Sequence, residues 1–290
     1  MNTFIPNHGP RVFWRPALLV GTMSVLVATA QFVGRGGVSS NNLIDRSGVP
    51  SWGNQTGFEH DVFTFVRIRY AATALGGSGG RGGGRGSGWR NDYPNTDLNI
   101  SFRLKQMTSM KTDPNGDVIE LSDPKLFEYP FIDILAPARW EPDEAEARAL
   151  RRYLLNGGFV MMDDFWGREA IENVLFQMNR VLPGMKPTEL TLDHPIFNVV
   201  YKMSELPQVA DIRTWRSGLS YELHGDMTDH APHFLAFYDE RGRMMALLCH
   251  NNDLSDGWER EGENPDFFAA FSERYSFPMA INILFYLMSH

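Results

Sequence analysis

Two acidic stretches carry the side chains with the most chemical potential. Asp163 and Asp164 close the apolar run at residues 159–162 and stand directly before Phe165-Trp166-Gly167. A short apolar run bounded by Gly157-Gly158 predicts a buried strand, and in open α/β sheets ligands bind beyond the carboxyl ends of the strands. Two adjacent carboxylates there suit acid/base work, cation binding or recognition of hydroxyl groups. The competing structural role has one of them capping a helix that begins near Arg168 and the other pairing with an arginine. The second stretch runs from Cys249 through His250, Asn251, Asn252, Asp253, Ser255, Asp256 and Trp258 to Pro265. It also follows an expected strand, so it can meet the first stretch across one crevice. The oxygen-rich residues 251–256 resemble a calcium loop, but the glycine falls at the seventh position rather than the sixth and the twelfth residue is Gly262. The EF-hand template requires a glutamate there.

Other groups read more plainly. His224, His230 and His233, with Asp226 and Asp229 among them, lack the H-x-x-x-H spacing of a helical zinc site and read as surface histidines. Gly77-Ser78-Gly79-Gly80-Arg81-Gly82 fits the dinucleotide pattern, yet residues 76–88 hold nine glycines in thirteen positions, so the match carries little information. That run reads as a flexible insertion. Asp193-His194-Pro195-Ile196 predicts a turn that drops Ile196 and Phe197 into the core, with His194 left as a further candidate for the crevice. Cys249 is the sole cysteine, so no intrachain disulfide forms, and it reads as a small buried hydrophobe.

The elements that must position these residues follow from periodicity. Strands are expected at residues 62–70, 118–121, 131–136 and 159–162, and a hairpin at 235–238 and 244–249. Residues 96–110 satisfy both strand and helix spacing, and the available N-caps favour a helix. Pro142, Asp143 and Glu144 open a second helix. Ile171, Val174, Leu175 and Met178 mark a third, and Phe277, Ile281, Leu284, Phe285 and Met288 a last. Strands alternating with helices predict an α/β fold with a mostly parallel sheet and a small antiparallel hairpin, in one domain over residues 61–290.

Charge and the start of the chain bound the setting. Lys and Arg number 27 against 35 Asp and Glu. The first thirty residues hold Arg11 and Arg15 and no acid, so the rest carries 25 bases against 35 acids, a net of −10. That balance excludes a nucleic-acid partner. Residues 16–34 are uncharged and contain Ala28-Thr29-Ala30, which predicts either a signal peptide cleaved after Ala30 or an uncleaved membrane anchor. Both readings place the bulk of the chain outside the cytoplasm, with membrane contact only through this segment and residues 31–60 as a flexible tether. Absence of disulfides suits a bacterial periplasm.

Four stretches resemble the bacterial domain of unknown function 4159 family. They are Asp92-Tyr93-Pro94-Asn95-Thr96-Asp97-Leu98-Asn99; Arg151 through Phe159 with Asp163-Asp164-Phe165-Trp166-Gly167; Leu192-Asp193-His194-Pro195-Ile196-Phe197; and Cys249 to Pro265. The likeness runs from about Phe63 to the C-terminus. It implies an exported or membrane-tethered protein, often encoded near cell-envelope or MoxR-type genes, and carries no assigned activity. More distantly, residues 153–159 and His194-Pro195-Ile196 resemble class I glutamine amidotransferase-like domains, including the trehalose-utilisation type. That likeness implies a flavodoxin-like three-layer sandwich. Amidotransferases carry a cysteine on a sharp elbow beside a histidine, whereas this chain offers only Cys249 in a different motif, so thioester chemistry is not expected.

The resulting expectation is a non-enzymatic envelope component that binds a partner protein or a carbohydrate-like, polyhydroxylated ligand. Its crevice would be lined by Asp92, Asp163, Asp164, His250, Asn251 and Asp253, with Trp166 and Trp258 stacking on the ligand. The alternative is a hydrolase in which Asp163 or Asp164 is the base, His250 assists and a divalent ion is recruited. Neither a resident metal nor a cofactor is expected.

Overall fold

In the computed structural model, β1 (Val66–Ile68), β2 (Asp117–Ile119), β3 (Phe131–Leu135), β4 (Phe159–Phe165), β5 (Thr188–Glu189), β6 (His233–Tyr238) and β7 (Met244–His250) form one seven-stranded sheet. The order is β2-β1-β3-β4-β7-β6-β5, with the first five parallel and β6 and β5 antiparallel. This is the flavodoxin-like order extended by an antiparallel edge. The structure describes residues 45–46, 48–53, 61–71, 88–224, 228–260 and 262–290. The expected signal or anchor, most of the tether and the glycine-rich insertion up to residue 87 lie outside these.

Parity sorts the strands into two faces. Phe65, Phe131, Phe159, Met161, Leu247 and Cys249 face one core. Against it pack α1 (Asn95–Met107), α5 (Asp256–Glu259) and α7 (Phe277–Ser289). Val66, Ile132, Ile134, Val160, Met162 and Leu248 face the other, covered by α2 (Glu144–Leu155) and α3 (Arg168–Val181). The sheet is thus the middle of three layers. The shorter helices are α4 (Ile212–Arg216) and α6 (Pro265–Phe267), the latter running through a π-helical stretch, Phe268–Ser276, into α7.

Local chemistry explains the boundaries. Asp143 caps α2 by accepting from the main-chain N–H of Ala145 (2.7 Å) and Glu146 (2.8 Å), while Glu146 accepts from the N–H of Asp143 (2.9 Å), a capping box. His194 opens the turn that seats Ile196 and Phe197 in the core, both fully buried. Three expectations need correction. The first strand is three residues long rather than nine, because Phe63 makes only an isolated bridge to Thr112. The last helix buries Phe277, Ile281 and Leu284 but leaves Met288 exposed. Of the expected tether, Arg46 bonds Asn115 and the Pro114 carbonyl, and the indole N–H of Trp52 donates to the Thr112 carbonyl (2.8 Å), so these residues lie against the domain.

Candidate functional site

A row of buried charge crosses the sheet beneath its carboxyl end. Arg67 on β1 and Asp133 on β3 are register partners, and Asp163 on β4 stands opposite Leu135, all on the face covered by α1 and α5. Their exposures are 0%, 1% and 0%. The Arg67 guanidinium donates to both oxygens of Asp97 in the first turn of α1 and to the main-chain carbonyls of Trp89 (3.0 Å) and Asn91 (2.8 Å). Burial alone would lower the Arg67 pKa, but Asp97 reverses this and leaves it raised. One side chain thereby fixes the loop that leads into Asp92. Burial pushes the Asp133 carboxyl up to about 7 against the opposing pull of Arg67, and neither of its oxygens has a hydrogen-bond partner among the described residues.

The adjacent aspartates point different ways. Asp163 continues strand parity and turns inward, where its Oδ2 accepts from the main-chain N–H of Ser255 (2.9 Å). The β4–β7 register then slips between Met162 and Phe165, and Asp164 adopts φ 58°, in the left-handed region. Such irregularities re-aim side chains at sheet ends. Asp164 therefore turns to the rim, half-buried, with Oδ2 accepting from Asn91 Nδ2 (2.9 Å). Neither aspartate caps α3: that role falls to Gly167, at φ 81°.

At the rim, carboxylates from four separate stretches converge. Oxygens of Asp92, Asp253 and Asp256 lie within 4.8 Å of one another, as do those of Asp164, Glu222 and Asp253. Asp253 belongs to both triads. Its Oδ1 accepts from Ser255 Oγ (2.6 Å) and from the Asp256 N–H (2.9 Å), which closes residues 253–256 into a tight turn. Gly257 lets α5 approach the π-helical stretch, since a Cβ there would stand 2.1 Å from Ser276 Oγ. Burial, then the Glu259 charge, raises Asp92 to about 7; burial, then Asp92, raises Asp256 to about 8. Asp164 and Asp253 also lie well above the carboxylate range, through burial first and then Glu222 for Asp164 and Asp164 for Asp253.

The remaining expected residues do not line this rim. His250 shares the face of Leu248, opposite to Asp163; its Nε2 contacts the Gly167 carbonyl (3.0 Å) and its ring lies between Phe165 and His233. Burial lowers its pKa. The Asp163–His250 pair that sequence suggested as catalytic is therefore split by the sheet. Asn251 is fully buried at φ 53°, accepting from the Gly167 N–H (2.9 Å) and donating to the carbonyls of Ala231 and Asp229, so it ties loops together. Trp258 is 1% exposed and edge-on to Phe65 in the core, and Trp166 is 4% exposed and stacked on His224, so neither offers an open face to a sugar. His194 bonds the Tyr238 hydroxyl (3.0 Å) at the far end of β6, away from the rim. Glu222 gave no signal in the sequence. Asp256 gave one only as the end of the oxygen-rich stretch 251–256.

The model of Domain of unknown function (DUF4159) matches residues 64–288. The chain belongs to that family. Every carboxylate of the two rim triads, from Asp92 to Asp256, falls within the span matched by DUF4159. No curated protein matches the chain.

Proposed function

We propose that this DUF4159 domain is an extracytoplasmic binding module that takes a polyhydroxylated ligand at its carboxylate rim. The observation that carries the reading is the convergence of Asp92, Asp164, Glu222, Asp253 and Asp256 at the carboxyl end of a mostly parallel sheet, where such folds seat ligands. Carboxylates accept hydrogen bonds from vicinal hydroxyls, and the buried tryptophans leave recognition to these polar groups. Among the described residues the rim holds no activated nucleophile: Cys249 is fully buried and Ser255 Oγ donates to Asp253. The hydrolase reading keeps one observation, the carboxyls of Asp92 and Asp256 held near 7 and 8, where general acids work. The export of the chain through its first thirty residues belongs to the same proposal; no described helix is long and apolar enough to cross a membrane.

Equilibrium binding to a panel of envelope polysaccharides and free polyols tests the reading. Saturable binding that Asp164→Asn weakens at least tenfold supports it. Absence of binding to every polyol, or turnover of a glycoside or ester abolished by Asp92→Asn, overturns it in favour of a protein partner or the hydrolase.

A further inference from the structure

The two triads differ in what already satisfies them. Both Glu222 oxygens are engaged, Oε1 by the Asp211 N–H (3.1 Å) and Oε2 by His224 Nε2 (2.9 Å), and Asp164 has Asn91. In the other triad, Asp256 is 2% exposed, yet its Oδ2 has no hydrogen-bond partner among the described residues. Its Oδ1 is approached by Arg260 Nε at 3.5 Å, its carboxyl also meets that of Glu259, and the Arg260 guanidinium is divided among Asp256, Glu259 and Glu263. A buried carboxylate oxygen without a donor is costly. Here it sits beside two further carboxylates.

The dimensions and atom types narrow what would complete the group. All three donors are carboxylate oxygens, with no imidazole or thiolate among them. Oxygens around one Ca²⁺, at about 2.3–2.6 Å from the ion, are separated by no more than about 4.6–5.2 Å. Oxygens of Asp92, Asp253 and Asp256, all within 4.8 Å of one another, therefore fit one coordination sphere of that size. Zinc prefers nitrogen and sulfur ligands, which this group lacks.

We infer that Asp92, Asp253 and Asp256 form a calcium site, with Asp256, the least exposed of the three, as its innermost ligand and the rim side left open to exogenous oxygens. The inference departs from the sequence-based expectation of no resident metal. It rests on the binding-module reading only in the role it gives the ion, which offers open coordination positions to vicinal hydroxyls of the ligand. The ion site itself requires no ligand.

Terbium luminescence sensitised by the nearby tryptophans, with displacement by Ca²⁺, measures the site on the metal-stripped full chain without any polyol. Extracellular calcium modules set the expected dissociation constant at about 0.1–1 mM. Asp256→Asn and Asp92→Asn should each weaken Ca²⁺ binding at least tenfold, while Asp193→Asn, at a distant exposed acid, leaves it unchanged. Circular dichroism confirms that each variant is folded, and either one folded variant suffices for the test. No saturable Ca²⁺ binding up to 10 mM (~10 times the weakest affinity expected), equal loss in the Asp193 variant, or tighter binding of Zn²⁺ than of Ca²⁺ overturns the inference. Ca²⁺ binding without any polyol binding leaves the site standing and removes the binding-module reading. Polyol binding undiminished in EDTA does the reverse for the role of the ion.

Discussion

The two ends of the sheet are built on opposite principles. At the carboxyl ends of the parallel strands the chain concentrates acids on strained backbone, with Asp92, Asp164 and Asn251 all at positive φ. At the amino ends it leaves an open cavity of about 860 Å³ whose walls mix Phe63, Phe131 and Phe159 with Asp117, Glu128 and Arg243. Open volume and chemical potential are thus separated by the length of the strands. Charged groups around an open cavity keep their contact with water, whereas polar groups in a buried setting need specific partners. The rim is the more expensive end to maintain.

That contrast is most directly broken through Arg67. Replacing Arg67 with Met strands Asp97 and frees the carbonyls of Trp89 and Asn91, so a loss of about 3–5 kcal/mol is expected, a fall in Tm of order 10 °C by calorimetry. A loss no larger than that of an ordinary surface change would mean that the rim loop is held by other contacts.

Asp133 sharpens the comparison through pH. Its folded pKa, about 7, lies above the unfolded 3.8, so its neutral form is favoured in the fold. The stability it permits is full below about pH 4 and is lost as pH rises to about 7. Asp133→Asn should therefore match the parent near pH 4 and exceed it by about 2–4 kcal/mol above pH 7. Urea titrations across that range check this, and a difference independent of pH contradicts it.

The smallest stability effect is expected at Asp164. Asp164→Asn keeps an acceptor for Asn91, and below about pH 4, where the fold already favours the neutral carboxyl, stability should change by no more than about 0.5 kcal/mol. The same variant is the one expected to lose polyol binding, which would separate function from folding at the rim. A large destabilisation would instead make Asp164 a structural residue.

The frame of the molecule was legible because its signals are local. Pro142 with Asp143 and Glu144, Gly157-Gly158 and the stripe at Ile171, Val174 and Met178 each act within one or two turns. The doublet Asp163-Asp164 was equally visible as charge at the end of an apolar run. Its divergence was not, since the register slip depends on how β7 continues into Asn252, some ninety residues away. His250 misled for the same reason: nearness to Asp253 in sequence concealed that strand parity sends it to the opposite face. Arg67 alternates with Val66 and Ile68 as a solvent-facing residue would, whereas α1 and the loop before it cover that face and bury it. Glu222 lies in an aperiodic segment, and only the fold brings it to Asp253.

The aspartate doublet also constrains how this protein can change. One member anchors the Ser255 main chain and the other faces the rim, so deleting either residue shifts the frame and reverses the direction of the survivor. A descendant that lost one aspartate by deletion would keep the anchor or the rim group, never both.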